Sequence, residues 1–107
     1  MFSALKKLFS SEKTPSLAEL LADGALVIDV RTPGEFAGGH VKGAVNIPLD
    51  RLASGLSRLR DKDKPLVTCC ASGMRSALAA ALLKRSGYTR VANGGSWQAV
   101  QAKIQSR

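Results

Sequence analysis

A chain of 107 residues has the length of one domain, enough for a modest core without disulfide staples, and its 45% hydrophobic and 22% charged content is that of a soluble globular protein. The formal net charge is +8, but the basic residues are scattered in small groups such as Lys6-Lys7 and Lys84-Arg85, without interleaved aromatics, which argues against a nucleic-acid partner. A positive field that concentrates small anionic donors or an acidic protein fits as well as a basic surface kept for solubility.

The chain opens on a segment that places Phe2, Leu5, Leu8 and Phe9 on one helical face with Lys6 and Lys7 elsewhere. Residues 1–13 read as a basic amphipathic extension that packs on its own domain or frays; it is too short to hold a bilayer firmly, so membrane contact is not expected. No uninterrupted apolar run follows the lysines, and the segment reads as neither a secretory signal nor a membrane span. Residues 14–107 read as the domain proper. Residues 16–22 suit a short helix capped by Ser16 and ended by Asp23-Gly24. Residues 26–30 suit a strand, after which Thr32 and Pro33 supply the N-cap and first position of another short helix. Residues 39–48 form a loop with a short strand at 44–46, and Leu52, Leu56 and Leu59 recur at helical spacing. Residues 65–69 suit a central strand, 75–86 a helix closed by Gly87, 90–92 a last short strand, and 96–105 a final helix. This alternation predicts an α/β domain: a central, mostly parallel sheet of about four or five strands with helices on both faces. In such sheets ligands bind at the carboxyl ends of the strands.

Cys70 stands at such an end. Val67-Thr68-Cys69-Cys70 runs into the small residues Ala71, Ser72 and Gly73, then Met74, Arg75 and Ser76, then an Ala/Leu helix. If the loop wraps so that backbone N–H groups from residues 71–75 converge on one sulfur, those amides and the positive helix end favour a thiolate. Small side chains suit that geometry because they leave the turn open to an anion. Structural cysteines are commonly buried hydrophobes, but core packing alone does not require this strand, loop and helix. Two registers are open. Cys69 has the six-residue spacing to Arg75 seen in cysteine-dependent phosphatases, whose loop holds a phosphoryl group against a bidentate arginine. Cys70 forms a shorter loop, fit for little more than a terminal sulfur atom, and has Gly73 three residues on; Thr68 stands where a phosphatase commonly carries histidine. Cys70 is therefore the expected nucleophile.

The chain resembles the single-domain rhodanese (thiosulfate sulfurtransferase) family. Leu26-Val27-Ile28-Asp29-Val30-Arg31, Glu35-Phe36 and Gly39-His40-Val41-Lys42-Gly43-Ala44-Val45-Asn46-Ile47-Pro48 look like its amino-terminal signature, the Cys70 loop like its active site, and Gly94-Gly95-Ser96-Trp97 like its carboxyl-terminal signature. The resemblance implies a rhodanese-like fold and two half-reactions: a small anionic sulfur donor such as thiosulfate loads Cys70 as a persulfide, and a thiol or cyanide acceptor, including a protein thiol, removes the sulfur. Ala71, Ser72, Gly73, Met74, Arg75 and Ser76 would bind the substrate, with loop amides stabilising thiolate and persulfide in turn. Met74 makes the mouth of the site more apolar than a basic residue would.

Asp29, Arg31, Glu35 and His40 read as a hydrogen-bonded scaffold supporting the loop. Arg75 either attracts the anionic donor or ties the loop to a carboxylate such as Asp29 or Glu35. Trp97 reads as a core anchor, and Gly94-Gly95 as a tight turn that passes close to the Cys70 loop. Cys69, on the opposite side of the strand from Cys70, reads as a packing residue; a resolving thiol would have to form a strained bridge between neighbours. No cofactor is implied, and a single histidine with one cysteine pair argues against a zinc or iron site. A reactive thiol with no disulfide framework points to the cytosol. Three functions remain: a sulfurtransferase, a cysteine-dependent phosphatase, and a sulfur-relay module whose partner is another protein.

Overall fold

The computed structural model describes residues 15–106. The amphipathic extension expected at residues 1–13 lies outside them. Helix α1 (Leu17–Ala22) starts where the Ser16 hydroxyl accepts the Glu19 N–H at 3.0 Å. Strand β1 (Leu26–Asp29) follows, then helix α2 (Pro33–Ala37), whose capping box pairs the Thr32 hydroxyl with the Glu35 N–H and the Glu35 carboxylate with the Thr32 N–H. The chain continues through β2 (Val45–Asn46), β3 (Leu66–Cys70), α3 (Met74–Arg85), β4 (Val91–Ser96) and α4 (Trp97–Gln105). The four strands pair in parallel in the order β2-β1-β3-β4. Among the described residues no helix is long and apolar enough to cross a membrane.

Two local expectations differ from what forms. Leu52, Leu56 and Leu59 do not share a helix; two 3-10 turns, Leu49–Arg51 and Leu56–Arg58, take its place. Gly55 interrupts between them, its N–H donating back to the carbonyls of Arg51 at 2.9 Å and Leu52 at 3.0 Å, yet Leu52 and Leu59 still reach the core. Gly94-Gly95 lies within β4 rather than after a strand ending at residue 92, but it turns and passes close to the Cys70 loop as expected, the Ser76 hydroxyl lying 3.5 Å from the Gly95 carbonyl. The β3–β4 register slips between Thr68 and Cys70, so that Cys70 pairs with Ser96 and the pair sits in a bulge. A Cβ on Gly94 would lie 2.9 Å from the Thr68 carbonyl oxygen and closer still to Val67 and Val100. Only glycine lets β4 press so tightly on β3.

Strand alternation sorts β3 between the two faces of the sheet. Leu66 and Cys70 join Ile28, Val30, Leu52, Ala79, Leu83, Tyr88 and Val91 on the face covered by α3 and the 3-10 segment. Val67 and Cys69 join Leu20, Leu21, Val27, Val41 and Val100 on the face covered by α1 and α4. Each fully buried leucine or valine in these layers stabilises the fold by about 1.5–3 kcal/mol relative to exposure. Both cysteines are free and completely buried, back to back across the strand.

Candidate active site at the end of strand β3

Strand β3 ends at Cys70, and three residues later α3 begins, with Gly73 as its N-cap at φ +101°. That backbone conformation is open to glycine and strained for other residues. It turns the chain so that the sulfur lies under the first turn of the helix. The Gly73 N–H donates to Cys70 Sγ at 3.0 Å and the Ser76 N–H donates at 3.3 Å. The Cys70 thiol in turn lies 3.3 Å from the Ser76 hydroxyl. Burial works against a charged sulfur, but the Ser76 hydroxyl and the amides of Ser76, Gly73 and Ser72 outweigh it, and the Cys70 thiol lies below its ordinary value. The partners thus come from residues 72, 73 and 76 rather than from the whole span 71–75.

Ser76 serves both protonation states. With the thiol protonated, its hydroxyl accepts from Cys70 and donates to the Gly73 carbonyl at 3.1 Å. Once the sulfur is charged, the same hydroxyl can turn and donate to it. The Gly73 carbonyl is not orphaned by that turn, because it also accepts from the Ala77 N–H at 3.0 Å and the Asn93 side-chain amide at 3.3 Å. Ser76 is itself held to the strand, its carbonyl accepting from the buried Thr68 hydroxyl at 2.8 Å.

The carboxylates and arginines expected as scaffold form two pairs. Arg75 forks onto Glu35, at 2.8 Å and 3.0 Å. Of its two readings, the tie to a carboxylate is the one formed here, and the carboxylate is Glu35. The bond from Arg75, with the Thr32 N–H and hydroxyl, lowers the Glu35 carboxyl to about 2. Arg31 and Asp29 pair beneath: the guanidinium donates to Asp29 at 2.7 Å and 2.9 Å, reaches the Gly39 carbonyl at 2.7 Å, and lies 5.2 Å over the Trp97 ring. The Asp29 bond is the main reason that the Arg31 guanidinium is raised. His40 is exposed, stacks on Phe36 at 3.7 Å and bonds the Phe36 carbonyl, apart from the sulfur.

Cys69, adjacent in sequence, has the opposite chemistry. Burial, with Asp29 nearby, pushes its thiol up to about 12. Cys70 is 0% exposed as well, packed in the core layer under α3 with its sulfur held by the Gly73 and Ser76 amides. A cleft of about 290 Å³ lined by Val30, Thr32, Pro48, Leu49, Asp50 and Arg75 flanks the loop of Ala71, Ser72 and Gly73 without including it. Met74, at 75% exposure, stands in solvent at the start of α3.

The model of the rhodanese-like domain family matches residues 13–103. The chain belongs to that family. It is 40% identical over 80 residues to a sulfurtransferase of Allochromatium vinosum, covering 73% of this chain and 74% of that one. It is also 40% identical over 84 residues to the uncharacterised protein YqhL of Bacillus subtilis, covering 78% of this chain and 66% of that one. Among solved structures, the human single-domain sulfurtransferase TSTD1 superposes with a TM-score of 0.68 at 35% identity, covering 80% of this chain and 92% of that one. At the level of the rhodanese family, the chain is a single α/β domain for sulfur transfer.

Three further residues of this rhodanese-like domain support the site in roles that the sequence reading did not give them. Thr68 signals itself as a polar residue inside a fully buried strand. Asn93 accepts the Gly95 N–H at 2.9 Å, an Asx turn written in Asn-Gly-Gly, while its amide reaches the Gly73 carbonyl. Asn46 donates to the carbonyls of Asp29 and Arg31 at 3.0 and 2.9 Å, steadying the end of β1.

Proposed function

We propose that the protein moves a sulfane sulfur from a donor such as thiosulfate to a thiol or cyanide acceptor through a persulfide on Cys70. In the first half-reaction the Cys70 thiolate attacks the outer sulfur of thiosulfate, the S–S bond of the donor breaks, and sulfite leaves with the electron pair. In the second, the acceptor attacks the outer sulfur of the persulfide and Cys70 departs as the thiolate. The observation that carries this reading is the convergence of the Gly73 and Ser76 amides and the Ser76 hydroxyl on one sulfur. The two amides are preorganised for a charged sulfur at every stage, and the hydroxyl has only to turn to join them. Ser72 and Ser76 act on the sulfur, Gly73 shapes the turn and donates its amide, and the Arg75–Glu35 pair fixes the start of α3. Ala71 and Ser72 complete the turn from β3 to α3, and Met74 begins the helix beside it.

The phosphatase reading draws little from the geometry. Cys69 faces the opposite side of the sheet with its thiol pushed up to about 12, and Arg75 is engaged by Glu35 instead of aiming at a bound oxyanion. Mass spectrometry after thiosulfate treatment tests the proposal: one added sulfur, removed by cyanide or a thiol, absent in Cys70→Ser and kept in Cys69→Ser. Sulfur carried in Cys70→Ser, or hydrolysis of an aryl phosphate blocked by vanadate, would overturn it.

A further inference from the structure

Two large apolar side chains stand in solvent among the described residues, and both are on α3: Met74 at 75% and Leu78 at 59% exposure. The exposed Ala77 and Ala81 complete an i, i+3, i+4, i+7 pattern, so a continuous apolar stripe runs along the helix. The opposite face already does the packing, with Ser76, Ala79, Ala80 and Leu83 buried on the sheet. An outward face is ordinarily charged. Here the stripe begins at the residue after Gly73, whose amide holds the Cys70 sulfur, and ends beside the exposed Lys84 and Arg85. Residues 64–107 contain no aspartate or glutamate. The stripe is thus apolar in the middle, basic at its far end, and adjoins at its start the turn that holds the reactive sulfur.

We propose that this stripe docks a protein that exchanges sulfur with Cys70, one whose reactive cysteine lies in an apolar patch rimmed by aspartate and glutamate. The inference rests on the Cys70 persulfide reading and adds the class of its partner. Charge selects the occupant: Lys84 and Arg85 at the end of the stripe favour an acidic rim, and a second copy of this chain, at a formal net charge of +8, is repelled rather than attracted. A lipid surface is a poor match, since two side chains insert little apolar area. The complete burial of Cys70 gives docking a purpose. Contacts at Met74 and Leu78, remote from the reacting sulfur, supply binding energy for opening a route to it. In the exchange the partner's thiolate attacks the outer sulfur of the Cys70 persulfide, the S–S bond to Cys70 breaks, and the partner carries the persulfide away with no net oxidation or reduction.

The probes are two synthetic peptides, each with one cysteine among glutamates, one carrying leucines beside the cysteine and the other serines in their place. Thiosulfate-loaded full-length protein is mixed with each peptide, and loss of the added sulfur is followed by mass spectrometry. The leucine peptide should react about tenfold faster than its serine counterpart, and both should slow as salt is raised because both carry the glutamates. Leu78→Gln and Ala81→Glu should each erase most of that advantage while leaving discharge by cyanide unchanged. Equal rates for the two peptides, or an advantage that survives both substitutions, would overturn the proposal; failure to load Cys70 at all would instead strike the persulfide reading beneath it. Two other results would also overturn it by assigning the stripe elsewhere: binding to phosphatidylglycerol vesicles, or a dimer in sedimentation, that Leu78→Gln abolishes. Peptide mapping after mild peroxide is a further check. Met74 should oxidise as fast as free methionine, and slow oxidation would mean that the stripe is already covered.

Discussion

Replacing Ser76 by alanine separates the side chain from the backbone in the stabilisation of Cys70. The substitution removes a hydroxyl 3.3 Å from the sulfur and leaves the residue-76 amide in place. A hydrogen bond to a charged group contributes about 1.5–3 kcal/mol net. Ser76 is completely buried, so bulk water does not take over the lost role. The lower half of that range applies, because the hydroxyl also donates to the Gly73 carbonyl while the sulfur is protonated and must exchange one bond for the other. At about 1.4 kcal/mol per unit, the Cys70 thiol should rise by roughly one to one and a half units. The thiolate fraction at neutral pH then falls by about ten- to thirtyfold where the thiol is already mostly protonated. The assay is the rate of alkylation by iodoacetamide against pH, in a Cys69→Ala background so that a single thiol is read. Thermal unfolding of the same proteins controls for damage to the fold. An unchanged midpoint at unchanged stability would refute the reasoning, since the amides alone would then account for the lowered thiol.

Glu35→Gln should flatten the acid limb of the stability curve. Because the folded carboxyl is lowered to about 2, its contribution is full above the ordinary value of 4.5 and is lost as pH falls from there toward 2, which denaturant titrations at several pH values would read. At the alkaline end Cys69 acts in the opposite sense. Its thiol is raised from 9.0 to about 12, so the unfolded chain ionises first and stability falls as pH rises through that window. Cys69→Ala should remove this alkaline loss at a cost of about 1 kcal/mol for the lost packing at neutral pH, both visible in unfolding curves. Gly94→Ala puts a methyl group 2.9 Å from the Thr68 carbonyl oxygen and nearer still to Val67 and Val100. Overpacking against backbone should lower stability by about 1–3 kcal/mol or more, measured by thermal unfolding; an unshifted transition would mean that β4 can move off β3 without penalty.

Local chemistry made much of this molecule legible in its residues. Ser16 and Thr32 cap helices because a hydroxyl three residues upstream of a free N–H satisfies it wherever the chain goes next. The alternation of apolar strands with Ala/Leu helices specified a parallel sheet and set Cys70 at a strand end, facing away from Cys69. The leucines at 52 and 59 were legible as core but not as 3-10 segments, because burial fixes the spacing of side chains more firmly than it fixes the hydrogen-bonding pattern between them.

Partnership between distant segments is what the tertiary structure alone decided. Glu35 and Arg75 are forty residues apart, and which carboxylate met Arg75 depended on where the first turns of α2 and α3 came to rest. Asn93 and Thr68 support the Gly73-to-Ser76 turn only because β4 is pressed onto β3 at Gly94. The complete burial of Cys70 in the core layer is likewise a product of packing. Sequence fixes what each residue can bond to within a turn or a strand; the free energy that selects among distant partners is the burial of the whole sheet, and it exists only once both faces are covered.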